Sequence, residues 1–277
     1  HPGEELDMVL YVNGIPLFTF ELKNPWTHQT AKYDGQKQYK SKMRDPKDTL
    51  LSYGRCLAHF TVDKNDVFFT TRLALDKTYF MPFNKGLALG QGAGNPVNPD
   101  GYKTAYLWEQ VLQKDTASDI IMNYVLFDYG EAKTQKKVPH IMKNAKKLIF
   151  PRYHQLDVVT RLEEDTARVG VGKTYLIEHS AGSGKSNSLT WLAFKLIKTC
   201  PLSMDAVRAK ALDEALFNSV IVVTDRKLLD KQITDNIRAF GQSDKIVAHA
   251  DCADSGSNPN KTGLKQAIEQ GKRIIIT

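Results

Sequence analysis

The sequence has few cysteines and no long apolar run. Its three cysteines (Cys56, Cys200 and Cys252) are far apart, odd in number and without CxxC spacing. This pattern disfavours a disulfide framework and a zinc site, and it is typical of a reducing compartment. No run approaches the ~18 apolar residues that a membrane span needs, and the start, HPGEELD, is not a secretory signal. We therefore expect a cytoplasmic protein that does not associate with a membrane.

The chain also lacks an initiator Met, so we expect a piece of a longer protein. Its 277 residues suit two domains better than one. The formal net charge of +7 has two interpretations, which are simple solubility and attraction to a polyanion such as DNA.

The first part of the sequence is rich in strand patterns. Residues 5–23 alternate apolar and polar side chains around Asn13-Gly14, which predicts a β-hairpin. Further strands are expected at 58–62 (AHFTV) and 66–71 (DVFFTT), and residues 106–127 have helical spacing.

The second part alternates helices with short apolar runs, and this alternation indicates buried parallel strands. We place the domain boundary near residues 140–148, which gives domains of 1–143 and 144–277. The expected elements are a helix at 154–168, a strand at 174–178, a helix from Lys185 to about Thr199, and strands at 219–225 and 273–277.

A phosphate-binding loop is predicted in the stretch LIEHSAGSGKSNS, between a strand and a helix. Gly182 and Gly184, on either side of Ser183, let the backbone curl so that its N–H groups converge on phosphate oxygens. Lys185 then reaches the β- and γ-phosphates. The Ser186 hydroxyl binds Mg²⁺, and the N-terminus of the helix faces the negative charge. The loop therefore predicts nucleotide binding.

Two neighbouring features leave alternatives open. His179 stands where the usual GxxxxGK[ST] pattern has its first glycine. Upstream, Gln155 in FPRYHQLDVV can pair its amide with the edge of an adenine, or it can be a solvated residue near a helix start.

A second candidate site lies in the first hairpin, LDMVLYVNGIPLFTFELK. Asp7 is in the first strand, and Glu21 and Lys23 point to one face of the second. Two carboxylates on neighbouring strands can hold Mg²⁺, and a lysine beside them can orient a water or stabilise developing phosphate charge. The same charges could form a surface ion pair of little value. Because both strands are apolar on both faces, a functional reason for the charges is favoured.

This site depends on the register of the hairpin. A simple two-residue turn at Asn13-Gly14 would pair Asp7 with Phe20 and put Asp7 and Glu21 on opposite faces. A three-residue loop with Gly14 in a left-handed bulge would pair Asp7 with Glu21 instead. We therefore predict a one-residue shift of register, with the bulge at Gly14.

The motifs together resemble a known family. The stretches FPRYHQLDVV, IEHSAGSGKS, VIVVTDRKLLDKQI and IIIT are similar to the first motor domain of superfamily 2 helicases and translocases. More narrowly, they resemble the restriction (R) subunit of type I restriction–modification enzymes, in which HxxGSGKS replaces the glycine-first loop. The D-x13-E-x-K array resembles the PD-(D/E)xK nuclease core near the N-terminal side of those subunits. The resemblance implies an α/β fold: a restriction-endonuclease-like mixed sheet with helices, then an incomplete RecA-like parallel-sheet domain.

For the motor part, the resemblance implies that Gln155 contacts adenine and that Lys185 and Ser186 bind the phosphates and Mg²⁺. The residues expected to lie along DNA, or to begin the next DNA-contacting motif, are Thr224, Asp225, Arg226 and Thr277. The acidic DExx box and the second motor lobe do not occur in the sequence. Phosphoryl transfer needs their charges, so we expect nucleotide binding without efficient hydrolysis by this piece, and a native chain that continues beyond Thr277.

For the nuclease part, we expect Asp7 and Glu21 to be metal ligands and Lys23 to be catalytic. Nuclease cores of this kind often add a QxxxY motif on the following helix. Here Gln36 and Tyr39 are only three residues apart, so contact with the DNA backbone and a plain helix surface both stay open. Basic residues around them could line a DNA path or form a solvated face. These residues are Lys32, Lys37, Lys40, Lys42 and Arg44.

The implied function is that of the DNA-cleaving and ATP-driven DNA-translocating subunit of a type I restriction system. It would use Mg²⁺ and ATP, act on double-stranded DNA, and assemble with methylation and specificity subunits. One alternative is a superfamily 2 translocase or helicase whose N-terminal domain only binds DNA. Another is a P-loop small-molecule kinase that binds no DNA, against which Gln155 and the VVTDR strand argue.

Overall fold

The computed structural model describes residues 5–87, 92–128, 147–202, 212–224, 233–234, 236–237, 246–251 and 262–277. The chain divides into two compact units, His1–His154 and Gln155–Thr277. Their boundary lies later in the chain than the predicted one after residue 143. Within the described ranges, no helix is both long enough and apolar enough to cross a membrane.

The first unit is built on a five-stranded mixed sheet. In order across the sheet, its strands are β1 (Met8–Val12), β2 (Ile15–Leu22), β3 (Ala58–Val62), β4 (Val67–Thr70) and β5 (Met81–Pro82). β2 and β3 run parallel, whereas the other neighbours run antiparallel. A parallel pair needs a crossover, and α1 (Gln36–Lys40) with the helical turns beside it lies in that crossover. The predicted hairpin and strands are confirmed.

The predicted helix at 106–127 consists of several short pieces. They are a π-helical turn at Leu107–Val111, α2 (Lys114–Asp119) and a second π-helical turn at Ile120–Tyr124. The chain then enters β6 (Leu126–Asp128), which pairs antiparallel with β7 (Lys147–Ile149).

Aromatic rings fill one face of the five-stranded sheet. Phe60 of β3 stacks on Phe20 of β2 with ring centroids 5.2 Å apart, and it meets Phe18 and Phe83 edge to face. Because side chains alternate along a strand, Thr19 and Glu21 of β2 point to the opposite face, where they are also buried. This opposite face therefore carries buried polar groups.

A buried hydrogen-bonded chain lies on that polar face. The Thr19 hydroxyl is 2.7 Å from the Tyr39 hydroxyl and 2.8 Å from Nδ1 of His59, and all three residues are buried. Burial lowers the pKa of His59 to about 4, so the imidazole is neutral in the folded chain near neutral pH.

The second unit combines helices with a parallel sheet. Its helices are α3 (Tyr153–Val169), which begins just before the boundary, α4 (Lys185–Leu196) and α5 (Leu264–Glu269). The sheet order is β10 (Thr262–Gly263), β9 (Val247–Asp251), β11 (Ile274–Ile276) and β8 (Val220–Val222), and every pair is parallel. Phe194 and Ile197 pack in one apolar cluster with Ile274 and Ile276. The helices predicted at 154–168 and from Lys185 are confirmed, and so are strands within the apolar runs at 219–225 and 273–277.

The predicted strand at 174–178 is wrong. Leu176 is 97% exposed, and the segment pairs with none of the strands that the structure describes in this unit. An apolar run forms a strand only where a neighbouring strand accepts its ladder hydrogen bonds. The segment is instead linked to α3, because Asp165 accepts hydrogen bonds from Tyr175 and Lys173.

The buried His59 predicts a pH dependence of stability. We expect the free energy of unfolding to fall as the pH drops from about 6.5 towards about 4, because the unfolded imidazole takes up a proton that the buried one does not. One pKa unit corresponds to about 1.4 kcal/mol, so the effect is on the order of 3 kcal/mol. Urea unfolding across this pH range measures it.

Two variants isolate this contribution. His59→Gln should be less stable at neutral pH but should lack the part of the pH dependence that comes from the imidazole. His28→Asn is the control, because His28 is exposed with φ of 57° and Asn tolerates that conformation. An identical pH dependence in His59→Gln and the native chain would contradict the assignment.

Candidate functional site

The first hairpin turns through two residues. Asn13 and Gly14 have φ of 50° and 78°, and Val12 pairs directly with Ile15. Both Asn and Gly adopt the left-handed conformation that a type I′ turn requires. The predicted three-residue loop with its bulge at Gly14 is therefore wrong.

The predicted one-residue shift of register is nevertheless present, because β2 carries an extra residue, Leu17, as a β-bulge. The strand pairs around it are Tyr11–Pro16 before the bulge, and Leu10–Phe18, Val9–Thr19 and Met8–Phe20 after it. Continued by one residue, this register puts Asp7 opposite Glu21, so that both carboxylates share a face.

Asp7, Glu21 and Lys23 lie together on that face. The Lys23 ammonium is 3.5 Å from Oδ2 of Asp7 and 3.5 Å from Oε2 of Glu21. Asp7 Oδ2 also accepts a hydrogen bond of 2.7 Å from the backbone N–H of Leu22. The Asp7 side chain is 39% exposed, whereas that of Glu21 is fully buried. The cluster therefore opens to solvent at Asp7.

Glu21 has a second cationic neighbour that the sequence did not indicate. Arg44 is buried, and its Nε and Nη2 lie 2.7 Å and 2.6 Å from Oε1 of Glu21. Burial raises the pKa of Glu21 above its ordinary value, and the hydrogen bond and charge of Arg44 act in the opposite direction. Oε2 is buried and has no hydrogen-bond partner in the described part of the chain.

The cluster fits a divalent cation in its donor chemistry. Two carboxylates lie within reach of one ammonium, and one buried oxygen among them has no hydrogen-bond partner in the described chain. No group of three or more His, Cys, Asp or Glu side chains suited to a metal occurs in the residues described. Mg²⁺ usually keeps several waters and takes only one or two carboxylates from the protein. Asp7 and Glu21 are sufficient protein ligands in that case.

The crossover between β2 and β3 packs closely against this cluster at Gly35. A Cβ at Gly35 would lie 2.9 Å from Cβ of Thr61, the partner of Glu21 in β3, and 3.6 Å from Cγ of Lys23. A side chain at position 35 would therefore push the turn before α1 away from β3 and from Lys23.

The structure corrects the expectation for Tyr39. This side chain is fully buried, packs with Leu51 and Phe80, and shares a hydrogen bond with Thr19. Its predicted contact with DNA is therefore wrong, because its ring has no exposed surface. Gln36 is half-buried at the start of α1, and its contact with DNA stays a prediction.

Arg44 is buried, unlike the basic residues near it in the sequence. It is 3% exposed, so it belongs neither to a DNA path nor to a solvated face. Sequence spacing gave no signal for its pairing with Glu21, which lies in another element. The apolar pattern around Glu21 is the feature that indicates such a partner, because a carboxylate on a buried strand needs a cation nearby.

The phosphate loop has the expected backbone. Gly182 and Gly184 have φ of 73° and 84°, and α4 begins at Lys185. Lys185 Nζ donates to the carbonyls of His179 and Ser180 at 3.0 Å and 2.9 Å, so the ammonium lies over the loop.

Gln155 lies directly against the loop. Its Nε2 donates to the carbonyls of Ser183 and Gly184 at 3.2 Å and 2.9 Å, and the residue is 3% exposed. Gly184 has φ of 84°, which other residues rarely adopt, and a Cβ there would lie 2.5 Å from this nitrogen, so a side chain at 184 would strain the backbone and displace the Gln155 amide. The solvated alternative for Gln155 is therefore wrong, and its contact with adenine stays a prediction. Ser183 and Ser186 are likewise buried.

Two of the residues expected near DNA lie next to each other. The Thr224 N–H donates to the carbonyl of Thr277 at 2.8 Å, and the Thr277 N–H donates to Val222 at 3.0 Å. Both threonines therefore follow the carboxyl ends of the parallel strands β8 and β11. Asp225 and Arg226 lie outside the described residues.

Each part of the chain matches a different protein family. Residues 2–78, which include Asp7, Glu21 and Lys23, match the N terminus of type I restriction enzyme R proteins. Residues 154–277, which include the phosphate loop, match the SWI2/SNF2 ATPase.

Two curated relatives align with residues from both parts of this chain. The type I restriction enzyme HindI endonuclease subunit of Haemophilus influenzae is 26% identical over 232 residues, 82% of this chain and 19% of the relative. The putative type I restriction enzyme MjaIXP endonuclease subunit of Methanocaldococcus jannaschii is 25% identical over 235 residues, 76% of this chain and 20% of the relative. The chain thus spans about a fifth of the length of these relatives. The chain is thus similar to type I restriction enzyme R proteins, with its first part like their N terminus and its second part like the SWI2/SNF2 ATPase.

Proposed function

We propose that this chain forms the nuclease and first motor part of the DNA-cleaving, ATP-dependent DNA-translocating subunit of a type I restriction–modification system. The first unit would be a PD-(D/E)xK endonuclease domain, and the second would be part of a RecA-like motor domain. The mixed sheet with its carboxylate-bearing hairpin supports the first assignment. The parallel sheet and the glycine loop before α4 support the second.

One observation carries the proposal. Lys23 lies 3.5 Å from both Asp7 and Glu21, on a buried strand where a carboxylate oxygen has no hydrogen-bond partner among the described residues. A surface ion pair would need neither this burial nor a bulge that brings the carboxylates to one face. Such a cluster suits the hydrolysis of a phosphodiester bond.

The residues of this cluster have complementary roles in the proposed reaction. Asp7 and Glu21 would hold Mg²⁺, which when bound supplies Lewis-acid stabilisation of phosphate charge and a more acidic water. The Lys23 ammonium would donate to the attacking water or to a non-bridging phosphate oxygen. Asp7 is the exposed member, so the DNA phosphate would enter from its side.

The second unit would bind ATP with Mg²⁺. Loop N–H groups and Lys185 would hold the phosphates, Ser186 would hold the ion, and Gln155 would reach adenine. Thr224, with Asp225 and Arg226, would lie along double-stranded DNA. Since specificity needs contacts to base edges, methylation and specificity subunits are the proposed partners, and the cytoplasm is the proposed location.

The first test removes the charge of one carboxylate. In the complete subunit assembled with its partners, Glu21→Gln should lower cleavage of circular unmethylated DNA at least about a hundredfold, because a proposed metal ligand is lost. ATPase activity in the same tube should persist, since the phosphate loop is in the other unit. Asp7→Asn should do the same with less risk to folding, because Asp7 is partly exposed.

Glu109→Gln is the matched control, because Glu109 is an exposed carboxylate of the same unit. It should cleave like the native subunit. Full cleavage by both Asp7→Asn and Glu21→Gln would reject the nuclease site and favour a translocase whose N-terminal unit only binds DNA.

A second test changes the phosphate loop and leaves the carboxylates of the first unit intact. Lys185→Ala should weaken ATP binding at least about tenfold and abolish ATPase activity, because a charge-assisted contact to the phosphates is lost. Fluorescent-nucleotide titration and phosphate release measure the two effects. Lys198→Ala, an exposed lysine just after α4, should change neither, and an unchanged ATPase in Lys185→Ala would exclude the loop as the motor site.

A further inference from the structure

Arg44 uses its whole guanidinium group inside the first unit. Nε and Nη2 both lie on Oε1 of Glu21, at 2.7 Å and 2.6 Å. Nη1 donates to the carbonyl of Met43 at 3.1 Å, and Nη2 also donates to the carbonyl of Glu5. Only 3% of its surface is exposed, so these contacts fix Arg44 inside the first unit.

This contact makes the two oxygens of Glu21 unequal. Oε1 accepts a charge-assisted hydrogen bond from Nε and forms an ion pair with Nη2 of the same guanidinium, so this oxygen is anchored to Arg44. Oε2 accepts no hydrogen bond from the described residues and lies 3.5 Å from the Lys23 ammonium. The buried carboxylate therefore presents one defined oxygen towards Lys23 and Asp7.

The same guanidinium reaches the segment that carries the other carboxylate. Glu5, whose carbonyl accepts from Nη2, precedes Asp7 by two residues. Asp7 is itself fixed to β2 through the N–H of Leu22. Arg44 thus contacts both the chain before β1, through the carbonyl of Glu5, and the buried Glu21 carboxylate of β2.

We propose that Arg44 is the positioning residue of the cation site, orienting Glu21 so that Oε2 and Asp7 converge on one divalent ion. The inference rests on the proposed function, because it needs Asp7 and Glu21 to be the ligands. It adds that the site is built from three segments: the β1–β2 hairpin, the chain before it, and the 3-10 turn at Lys42–Arg44.

The other charged and titratable groups around Glu21 do not provide the same orientation. Lys23 lies at 3.5 Å, beyond hydrogen-bond contact with Oε2, and Asp7 has the same sign of charge. Thr61, the β3 residue paired with Glu21, is uncharged, and Tyr39 is bonded to Thr19. Among these neighbours, only Arg44 donates to Glu21.

The test measures binding of Mn²⁺ to the complete subunit without DNA or nucleotide, by loss of the free-ion electron paramagnetic resonance signal. Arg44→Ala should weaken Mn²⁺ binding at least about tenfold, and Arg44→Lys should be intermediate, because lysine keeps the charge but lacks the fork. Arg55→Ala, an exposed arginine of the same unit, should bind like the native subunit. Thermal unfolding and ATPase activity show that each variant is folded.

Chemical rescue separates positioning from simple structural support. A cavity of about 360 Å³ adjoins Arg44, with Glu5, Val9 and Asp48 among its lining residues. Guanidinium at millimolar concentration, far below the molar range that unfolds proteins, should enter the space left in Arg44→Ala and restore Mn²⁺ affinity. In cleavage assays, the Mg²⁺ concentration for half-maximal rate should rise in Arg44→Lys, but less than in Arg44→Ala, while the rate at saturating Mg²⁺ changes little.

Three outcomes would overturn the inference. Native affinity for Mn²⁺ in folded Arg44→Ala, or in Arg44→Lys if the alanine variant does not fold, would show that Glu21 needs no positioning. Lost affinity that neither guanidinium nor lysine restores would assign Arg44 to folding alone. Native-like Mn²⁺ binding by both Asp7→Asn and Glu21→Gln would instead remove these residues as ligands. It would thereby reject the proposed nuclease site itself.

Discussion

The extra residue Leu17 in β2 decides on which face of the sheet the carboxylates meet. Strand side chains alternate with a period of two, so a shift of one residue moves a whole set to the other face. Without the bulge, Asp7 would be opposite Phe20 and would point to the aromatic face. With it, Asp7 joins Glu21 and Lys23. Bulges often re-aim side chains next to active sites, and the proposed cation site depends on this one.

Glu21 places a charged side chain at a buried position of β2, where folding stability alone would favour an apolar side chain. Its strand neighbours Phe18 and Phe20 are apolar and buried. A buried ion pair such as that with Arg44 gains little over a well-packed apolar pair, because desolvation offsets the Coulomb attraction. In addition, Oε2 has the Lys23 ammonium at 3.5 Å but no hydrogen-bond partner among the described residues, and a buried polar atom left without a hydrogen bond costs about 1–3 kcal/mol. Such a disadvantage is explained if Oε2 binds an ion or substrate during function.

The second unit holds its phosphate loop through backbone carbonyls. Gln155 donates to Gly184, and Lys185 donates to His179 and Ser180. Burial, and then the charge of Lys185, lower the pKa of His179, so the imidazole is neutral near neutral pH and adds no charge beside the ammonium. A triphosphate would replace the carbonyls as acceptors of Lys185. Since hydrogen bonds between charged groups are stronger, this exchange favours binding.

Sequence signals predicted the features whose causes are local. Asn13-Gly14 is the turn, and Gly184 with its lysine begins a helix, because positive φ and helix starts depend on adjacent residues. The failures concern partners distant in sequence. Leu176 lies in an apolar run with no strand beside it among those described, and Tyr39 is buried despite its basic neighbours. Arg44 resembles those neighbours in sequence, and only the buried carboxylate on β2 distinguishes it. A charge predicted on a buried strand therefore requires a search for its counter-charge, even where spacing indicates none.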